Sequence, residues 1–577
     1  MPTEQIAAEK IAPDDPAASR PWLKRYPEGV PAEIDVAGLG TLVDFFNESV
    51  KRYPERPALE SFGTRISYGE LAREAGAVAS WLQSRGIGRG DRVAIMLPNV
   101  MAYVPVLFGT LLAGGTVVNV NPLYTPRELT SQLNDSGARI LFVLENFAAT
   151  VETALPDLAL NGVVIVRPGD LLGLKGMIVN LVSRYVKKAV PAFRLDAAVA
   201  FADVAKLGRA RPLAAVTVGP EDVAFLQYTG GTTGTAKGAT LTHRNVAANV
   251  VQCEVWMRPG LGDSQHIMVT ALPLYHIFAL TACCLVMMRL GSCLLLIANP
   301  RDLPGFVKTL KSRPFTCISG VNTLYNALVR QPGMREVDFS KVVFCVSGGM
   351  ATQAAVAKAW KEFTGRPIIE GYGLSETSPV VTVNRLDLTE FSGTIGYPAP
   401  STEVSIRDAE GRPVGLGEPG ELCVRGPQVM RGYWQRPGET EDVTTPDGFF
   451  RTGDVAVMQP DGALKIVDRM KDMVLVSGFN VYPNEVEDVI AGHAGVAEVA
   501  VIGLPSERSG ESVAAYVVKS DPALTEADVR EWCRTRLTGY KLPRHIEFRD
   551  SLPKTNVGKV LRRALRDEVG RSGRHAA

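Results

Sequence analysis

At 577 residues the chain exceeds what one hydrophobic core organises, so at least two domains are expected. Hydrophobic residues make up 46% and charged residues 21%, an ordinary globular mix, and a formal net charge of +1 argues against a nucleic-acid partner. Eight cysteines without a C-x-x-C pair argue against a disulfide framework or zinc site and fit reduced thiols in a cytoplasmic setting.

The first twenty residues carry Glu4, Glu9, Lys10, Asp14 and Asp15 without an apolar stretch, so no secretory signal is readable. Residues 1–44 are expected to form a tail and entry segment. Apolar runs such as Arg92 to Leu97 and Val342 to Val346 read as buried strands, and helical patterns over Tyr68 to Ser84 and Ala354 to Phe363 alternate with them. That alternation predicts mixed α/β layering. The apolar tract from Met268 to Ile297 is interrupted by Pro273, His276 and Arg289, so it predicts buried strands and helices and no membrane span. The charged connector Asp468-Arg469-Met470-Lys471-Asp472 marks the expected boundary between a large domain, 45–470, and a small α/β domain, 471–577.

Within this frame the segment Thr229-Gly230-Gly231-Thr232-Thr233-Gly234-Thr235-Ala236-Lys237-Gly238 follows a strand-like run, Val223 to Leu226. Glycines let backbone N–H groups approach an anion, threonine hydroxyls add donors and lysine adds a point charge, so polyphosphate is the expected guest. The neighbours of the lysine, Ala236 and Gly238, do not fit a Walker A loop. Further on, Ser347-Gly348-Gly349-Met350 closes a strand. After the run Pro367-Ile368-Ile369 comes Glu370-Gly371-Tyr372-Gly373-Leu374-Ser375-Glu376-Thr377, an aromatic ring able to stack on a purine four residues before a carboxylate able to hold Mg²⁺. Asp454 in Phe450-Arg451-Thr452-Gly453-Asp454 can accept two ribose hydroxyls, with Arg469 nearby to reach the sugar or phosphate.

Taken together and in this order, these segments resemble the adenylate-forming superfamily of acyl-CoA ligases, luciferases and peptide-synthetase adenylation domains. Over residues 45–565, with Asn121-Pro122-Leu123-Tyr124-Thr125-Pro126-Arg127-Glu128-Leu129 and the Gly230-Gly231 loop, the chain looks most like bacterial long-chain-fatty-acid CoA ligases. The resemblance implies ATP binding by the Thr229 to Lys237 loop, by Gly348, Gly349 and Met350, by Glu370 to Ser375, and by Asp454 and Arg469. It implies Mg²⁺ on Glu376, catalysis by Lys237, Glu376, His276 and Lys559, and a hinge at Lys471. His276 falls in Leu272-Pro273-Leu274-Tyr275-His276-Ile277-Phe278 and is expected to line an acyl pocket with Ile277 and Leu280. A tunnel-gating tryptophan of some long-chain members is replaced by Leu280, leaving Trp256 as a distant candidate. The stretch Val476-Ser477-Gly478-Phe479-Asn480-Val481-Tyr482-Pro483 resembles the wall of the CoA channel, with Gly478 and Phe479 as contacts.

The C-terminal Pro553-Lys554-Thr555-Asn556-Val557-Gly558-Lys559-Val560-Leu561-Arg562-Arg563 resembles the C-terminal lysine motif of the superfamily, which implies that Lys559 is its mobile lysine, while Lys554, Arg562 and Arg563 read as a solvated basic patch. The implied reaction joins a fatty acid to CoA through an acyl-adenylate, using ATP. Alternatives are a stand-alone acyl-AMP ligase, a CoA ligase for a medium-chain or aryl acid, and a non-catalytic nucleotide or acyl sensor. Finally, between Asp170 and Asp196 no acid occurs, and Asn180, Ser183, Arg184, Lys187 and Lys188 recur at helical spacing with Ile178, Val179, Leu181, Val182, Tyr185 and Val186 on the other faces. Two readings stand for residues 171–194: a helix packed on the large domain with a solvated edge, or a helix contacting the inner face of the cell membrane. A homodimer is compatible with the sequence.

Overall fold

The structure, a computed structural model, describes residues 20–229, 236–262, 264–506, 508–555 and 558–572. The expected loose start at residues 1–19 therefore lies outside the described residues, but the entry segment that follows is docked. Trp22 is buried, the Tyr26 hydroxyl donates to the Pro398 carbonyl at 2.6 Å, and Ser401 N donates to Ala32 O at 2.9 Å. Gly462 makes this close approach feasible, since a Cβ there would stand 2.4 Å from Trp22 N.

Four sheets organise the described residues. The first has nine strands, with the parallel run Ile368–Gly373, Phe344–Ser347, Cys317–Gly320, Ile267–Thr270 and Cys293–Leu296 at its middle. The second has eight strands, in which Val223–Thr229, Thr116–Asn119, Arg92–Met96 and Ile140–Leu144 lie side by side in parallel. These strands read as continuous apolar runs because helices cover both faces. Helix Tyr68–Ser84 starts where Ser67 and Glu70 form a reciprocal capping box, and it buries Leu71, Ala75, Val78 and Leu82 at helical spacing. The apolar tract becomes strand Ile267–Thr270, a turn through Pro273, helical turns over Ala279–Arg289 and strand Cys293–Leu296.

A four-stranded antiparallel sheet, Glu403–Arg407, Pro419–Arg425, Phe450–Met458 and Leu464–Arg469, follows. Beyond it, a five-stranded sheet is built on the long hairpin Val496–Ser506 and Gly510–Lys519. The two apolar clusters around that hairpin draw only on residues from Val474 onward. This C-terminal unit touches the rest through Thr323 Oγ1 donating to Gly558 O at 3.0 Å, Asn326 Nδ2 to Ala497 O at 2.9 Å, and Ala354 N to Asp488 Oδ1 at 3.1 Å.

Two expectations are corrected here. Arg562 is no solvated tail residue: its guanidinium meets Glu487 Oε1 at 3.1 Å and Oε2 at 2.9 Å, Asp468 Oδ1 at 3.2 Å and Asn484 Oδ1 at 2.6 Å. With Asp472 Oδ2 at 3.5 Å, four acidic or amide side chains converge on it because a planar fork satisfies several oxygens at once. Lys554 is exposed, as expected, and pairs with Glu498 at 2.6 Å. The second correction concerns helix Leu174–Leu181 and the wider turn Val182–Val186, where Asn180 and Arg184 turn toward the protein and the apolar side chains face outward. Among the described residues no helix is long and apolar enough to cross a membrane.

Candidate active site

The sheets and the C-terminal unit enclose one large cavity of about 1840 Å³. That exceeds the roughly 300–1,000 Å³ of an ordinary small-ligand pocket and leaves room for more than one substrate. Along one wall the antiparallel strands Phe450–Met458 and Leu464–Arg469 set Asp454 directly opposite Arg469, and Arg469 Nε lies 3.2 Å from Asp454 Oδ1. The other oxygen of Asp454 accepts from the Tyr372 hydroxyl at 2.6 Å. Burial, and then the Asp454 charge, hold Tyr372 well above the usual phenol range, so the hydroxyl stays a donor. The strand Ile368–Gly373 carries Tyr372 to this point, and Gly373 is required because a Cβ there would fall 1.9 Å from the Pro379 carbonyl.

The short turn Ser375–Thr377 then drops Glu376 into the same cavity, nearly fully buried. Burial raises its pKa, and a hydrogen bond donated by the Tyr433 hydroxyl at 2.8 Å opposes that rise. Glu370 sits deeper: Thr352 N donates to its Oε1 at 3.1 Å and burial pushes its carboxyl up to about 7. Gly348, Gly349, Met350, Gly371, Leu374 and Ser375 line the wall between these groups. A Cβ on Gly348 would stand 3.1 Å from Gly371 O, so the loop and strand touch through backbone.

Thr229 and Lys237 are paired opposite each other in the hairpin of strands Val223–Thr229 and Lys237–Thr242, and both line the cavity. Gly230, Gly231, Thr232, Thr233 and Gly234, which connect them, lie outside the described residues. Lys237 is engaged by Glu439 in an ion pair and its ammonium lies 5.1 Å from the centre of the Tyr433 ring.

His276 ends a turn that two amides fasten. Leu274 N donates to Asn99 Oδ1 at 2.8 Å, and Gln227 Nε2 donates to Tyr275 O at 3.0 Å. Burial, and then the Lys559 charge, lower the His276 imidazole to about 4, so it is neutral at pH 7. Lys559 itself enters from the C-terminal unit, held by the Thr323–Gly558 bond beside it. Burial and the Arg469 charge push its ammonium down to about 8, against the pull of Asp454. Apolar side chains, among them Trp256, Met257, Leu272, Ile277 and Phe344, line the same cavity as His276.

Residues 46–434 match the AMP-binding enzyme family and residues 485–559 match the AMP-binding enzyme C-terminal domain. The chain belongs to the AMP-binding enzyme family. It is 52% identical over 550 residues to a long-chain-fatty-acid–CoA ligase of Escherichia coli O157:H7, covering 95% of this chain and 98% of that one. It is 36% identical over 556 residues to the long-chain-fatty-acid–CoA ligase of Bacillus subtilis strain 168, covering 96% and 98%. Among solved structures, the anthranilate CoA ligase AuaEII in complex with anthranoyl-AMP superposes with a TM-score of 0.83 at 25% identity, covering 94% of this chain and 100% of that one.

Three sequence expectations fall elsewhere in this AMP-binding enzyme. Leu280 is fully buried in the main core and is absent from the cavity wall, because its N–H continues the helix from His276 O; Trp256, more distant in sequence, takes a place on that wall instead. Gly478 and Phe479 also lie outside the cavity, on the hairpin of strands Val474–Val476 and Phe479–Val481, where the exposed Phe479 stacks on Tyr540 at 4.7 Å. Lys471 does line the cavity, on the exposed turn Met470–Asp472. Tyr433 and Glu439 were not anticipated, since they reach Glu376 and Lys237 only through the pairing of strand Gly432–Tyr433 with Lys237–Thr242.

Proposed function

We infer that this ATP-dependent ligase joins long-chain fatty acids to CoA, releasing AMP and pyrophosphate through an acyl-adenylate. One observation carries the reading: Asp454, Tyr372, Arg469 and Lys559 share a cavity with His276 and with apolar side chains that include Trp256, Met257, Leu272, Ile277 and Phe344. A nucleotide and a greasy carboxylic acid therefore have adjoining places.

In the first half-reaction a carboxylate oxygen of the fatty acid attacks the α-phosphorus of ATP, and the bond to the pyrophosphate oxygen breaks. Asp454 accepts the ribose hydroxyls, Tyr372 lies along the purine, and Gly348 to Met350 and Glu370 to Ser375 shape its surroundings. Arg469 reaches the sugar or phosphate. Lys237 and Thr229 anchor the loop that cradles the β- and γ-phosphates. His276, neutral and with Nδ1 facing the Phe278 N–H at 3.4 Å, has Nε2–H left to orient the carboxylate. Lys559 supplies a cation where negative charge gathers between carboxylate and α-phosphate.

Glu376 fits Mg²⁺, a hard cation taking oxygen ligands, and the described residues hold no group of three or more ligating side chains around it. Bound there through Glu376 and the nucleotide's own oxygens, Mg²⁺ would neutralise phosphate charge. In the second half-reaction the CoA thiol releases its proton to solvent, its sulfur bonds to the acyl carbon, and the bond from that carbon to the phosphate oxygen breaks, so that AMP leaves. Residues 471–577 act as the small domain that turns about Lys471 between the two steps, withdrawing Lys559 and bringing Gly478 and Phe479 toward the cavity. The position of Gly478 and Phe479 away from the cavity supports such a movement. The segment 171–194 contacts the membrane from which the substrate is drawn.

The test is a panel of fatty acids from about C6 to C20, scored for pyrophosphate and CoA thioester. Thioester formation that peaks at long chains is the expected result. Pyrophosphate without thioester would favour an acyl-AMP ligase, and neither product would favour a sensor.

A further inference from the structure

Among the described residues, six of the fifteen exposed large hydrophobic side chains fall within the thirteen residues 174–186: Leu174, Met177, Ile178, Leu181, Tyr185 and Val186. They are not scattered. Positions 174, 177, 178 and 181 form one face of helix Leu174–Leu181. The turn Val182–Val186 is a wider π-helical one, closed by Lys187 N donating to Val182 O at 2.8 Å, and it keeps Tyr185 and Val186 on the outside, 68% and 74% exposed. Phe62, 58% exposed at the tip of the hairpin Pro57–Ser61 and Thr64–Ser67, extends the patch, because Lys175 Nζ reaches the neighbouring Gly63 carbonyl at 3.4 Å.

The opposite face holds the helix in place with small and polar groups. Gly176 packs backbone to backbone on Gly169, where a Cβ on either would stand 2.1 Å from the other's carbonyl oxygen. Asn180 Oδ1 accepts from Gly169 N at 2.7 Å, and Arg184 Nη2 donates to the buried Glu145 at 2.8 Å. An ordinary surface helix buries its apolar stripe. This one is fastened with that stripe outward, so the stripe has a partner other than the protein's own core.

We propose that this face seats the protein on an anionic phospholipid bilayer, with the apolar side chains entering the acyl boundary and Lys175, Lys187 and Lys188 meeting lipid phosphates. Charge complementarity selects this occupant: the three lysines are exposed around the patch, and residues 171–195 contain no acid, Asp302 at 3.7 Å from Lys187 being a carboxylate from outside the segment. A second copy of the chain laid on the same face would bring two lysine-bearing segments together with no carboxylate in either to pair them, because an isologous contact uses the same patch on both copies. Thirteen residues at about 1.5 Å each give roughly 20 Å, too short to span and long enough to lie flat in the interface. The proposal deepens the membrane contact named above. It moves the main contribution from the basic stripe to the aliphatic face.

The test is flotation of the full chain with vesicles of equal parts phosphatidylcholine and phosphatidylglycerol. Ile178→Ser with Leu181→Ser should lower vesicle partitioning by roughly tenfold or more, as expected for withdrawing two aliphatic side chains from the bilayer. Lys175→Gln with Lys187→Gln and Lys188→Gln should lower it and flatten its salt dependence. Leu416→Ser, at an exposed position elsewhere, should change nothing. Thioester formation from a water-soluble medium-chain acid should be equal in wild type and the serine variant, which shows that the variant folds. Wild-type partitioning by the serine double variant would overturn the proposal, as would a wild type that stays with the buffer, or a change of oligomeric state with vesicle binding unchanged. Loss of thioester formation by the wild type itself would instead count against the ligase reading and leave the flotation result standing.

Discussion

The Tyr433 hydroxyl donates to Glu376 Oε1 at 2.8 Å, so a tyrosine from a two-residue strand favours the charged form of a buried carboxylate. Burial raises the Glu376 pKa and this bond lowers it. Removing the bond in Tyr433→Phe should raise that pKa further, so the carboxylate takes up a proton at a higher pH. The acid limb of pyrophosphate release is predicted to move to higher pH, with an increased Mg²⁺ requirement. A pH profile unchanged from wild type would refute the link.

Lys237 and Glu439 form an ion pair whose members are 24% and 35% exposed. Such a pair is worth at most about 1 kcal/mol. ATP must draw Lys237 away from it, so Glu439→Gln should lower the apparent KM for ATP by up to about fivefold with little change in kcat. Steady-state kinetics decide the matter. A higher KM would mean that Glu439 positions the lysine for ATP.

Arg562 offsets the buried carboxylates of Asp468 and Glu487. In Arg562→Met both lose their cation, and the folded state should lose about 3–5 kcal/mol. Chemical denaturation followed on the C-terminal unit measures this. A loss below about 1 kcal/mol would class the network with exposed surface pairs.

The Lys559 ammonium is pushed down to about 8, first by burial and then by the Arg469 charge. Because its charged form serves adenylation, acyl-adenylate formation should decline as pH rises through about 8. Lys559→Arg, which stays charged, should be slower at neutral pH and lack that decline. His276, lowered to about 4, does not titrate in this window, so the alkaline limb belongs to the lysine.

Much of this could be read along the chain, for reasons that particular residues make plain. Helix Tyr68–Ser84 announces itself because its cap and its buried face are local features. The order of Tyr372, Asp454, Arg469 and Lys559 is likewise visible as short motifs. Tyr433 was hidden because it reaches Glu376 through one register, Tyr433 opposite Ala239, which a two-residue strand does not advertise. Arg562 looked solvated because its partner Glu487 lies 75 residues away. For helix Leu174–Leu181 periodicity defined an apolar face but not the direction in which it points, a matter settled by the Gly176 contact with Gly169. Leu280 misled for the same reason, since helical phase turns it into the core.

The central claim is that Lys559 serves the adenylation step and is withdrawn before thioester formation. Measuring the two half-reactions separately in Lys559→Ala tests it most directly. Acyl-adenylate formation from ATP and palmitate should fall by roughly 10²- to 10³-fold, as for loss of one preorganised donor. Thioester formation from supplied acyl-adenylate and CoA should fall far less, whereas Lys471→Pro should show the reverse pattern. Equal loss of both half-reactions in Lys559→Ala would contradict the account.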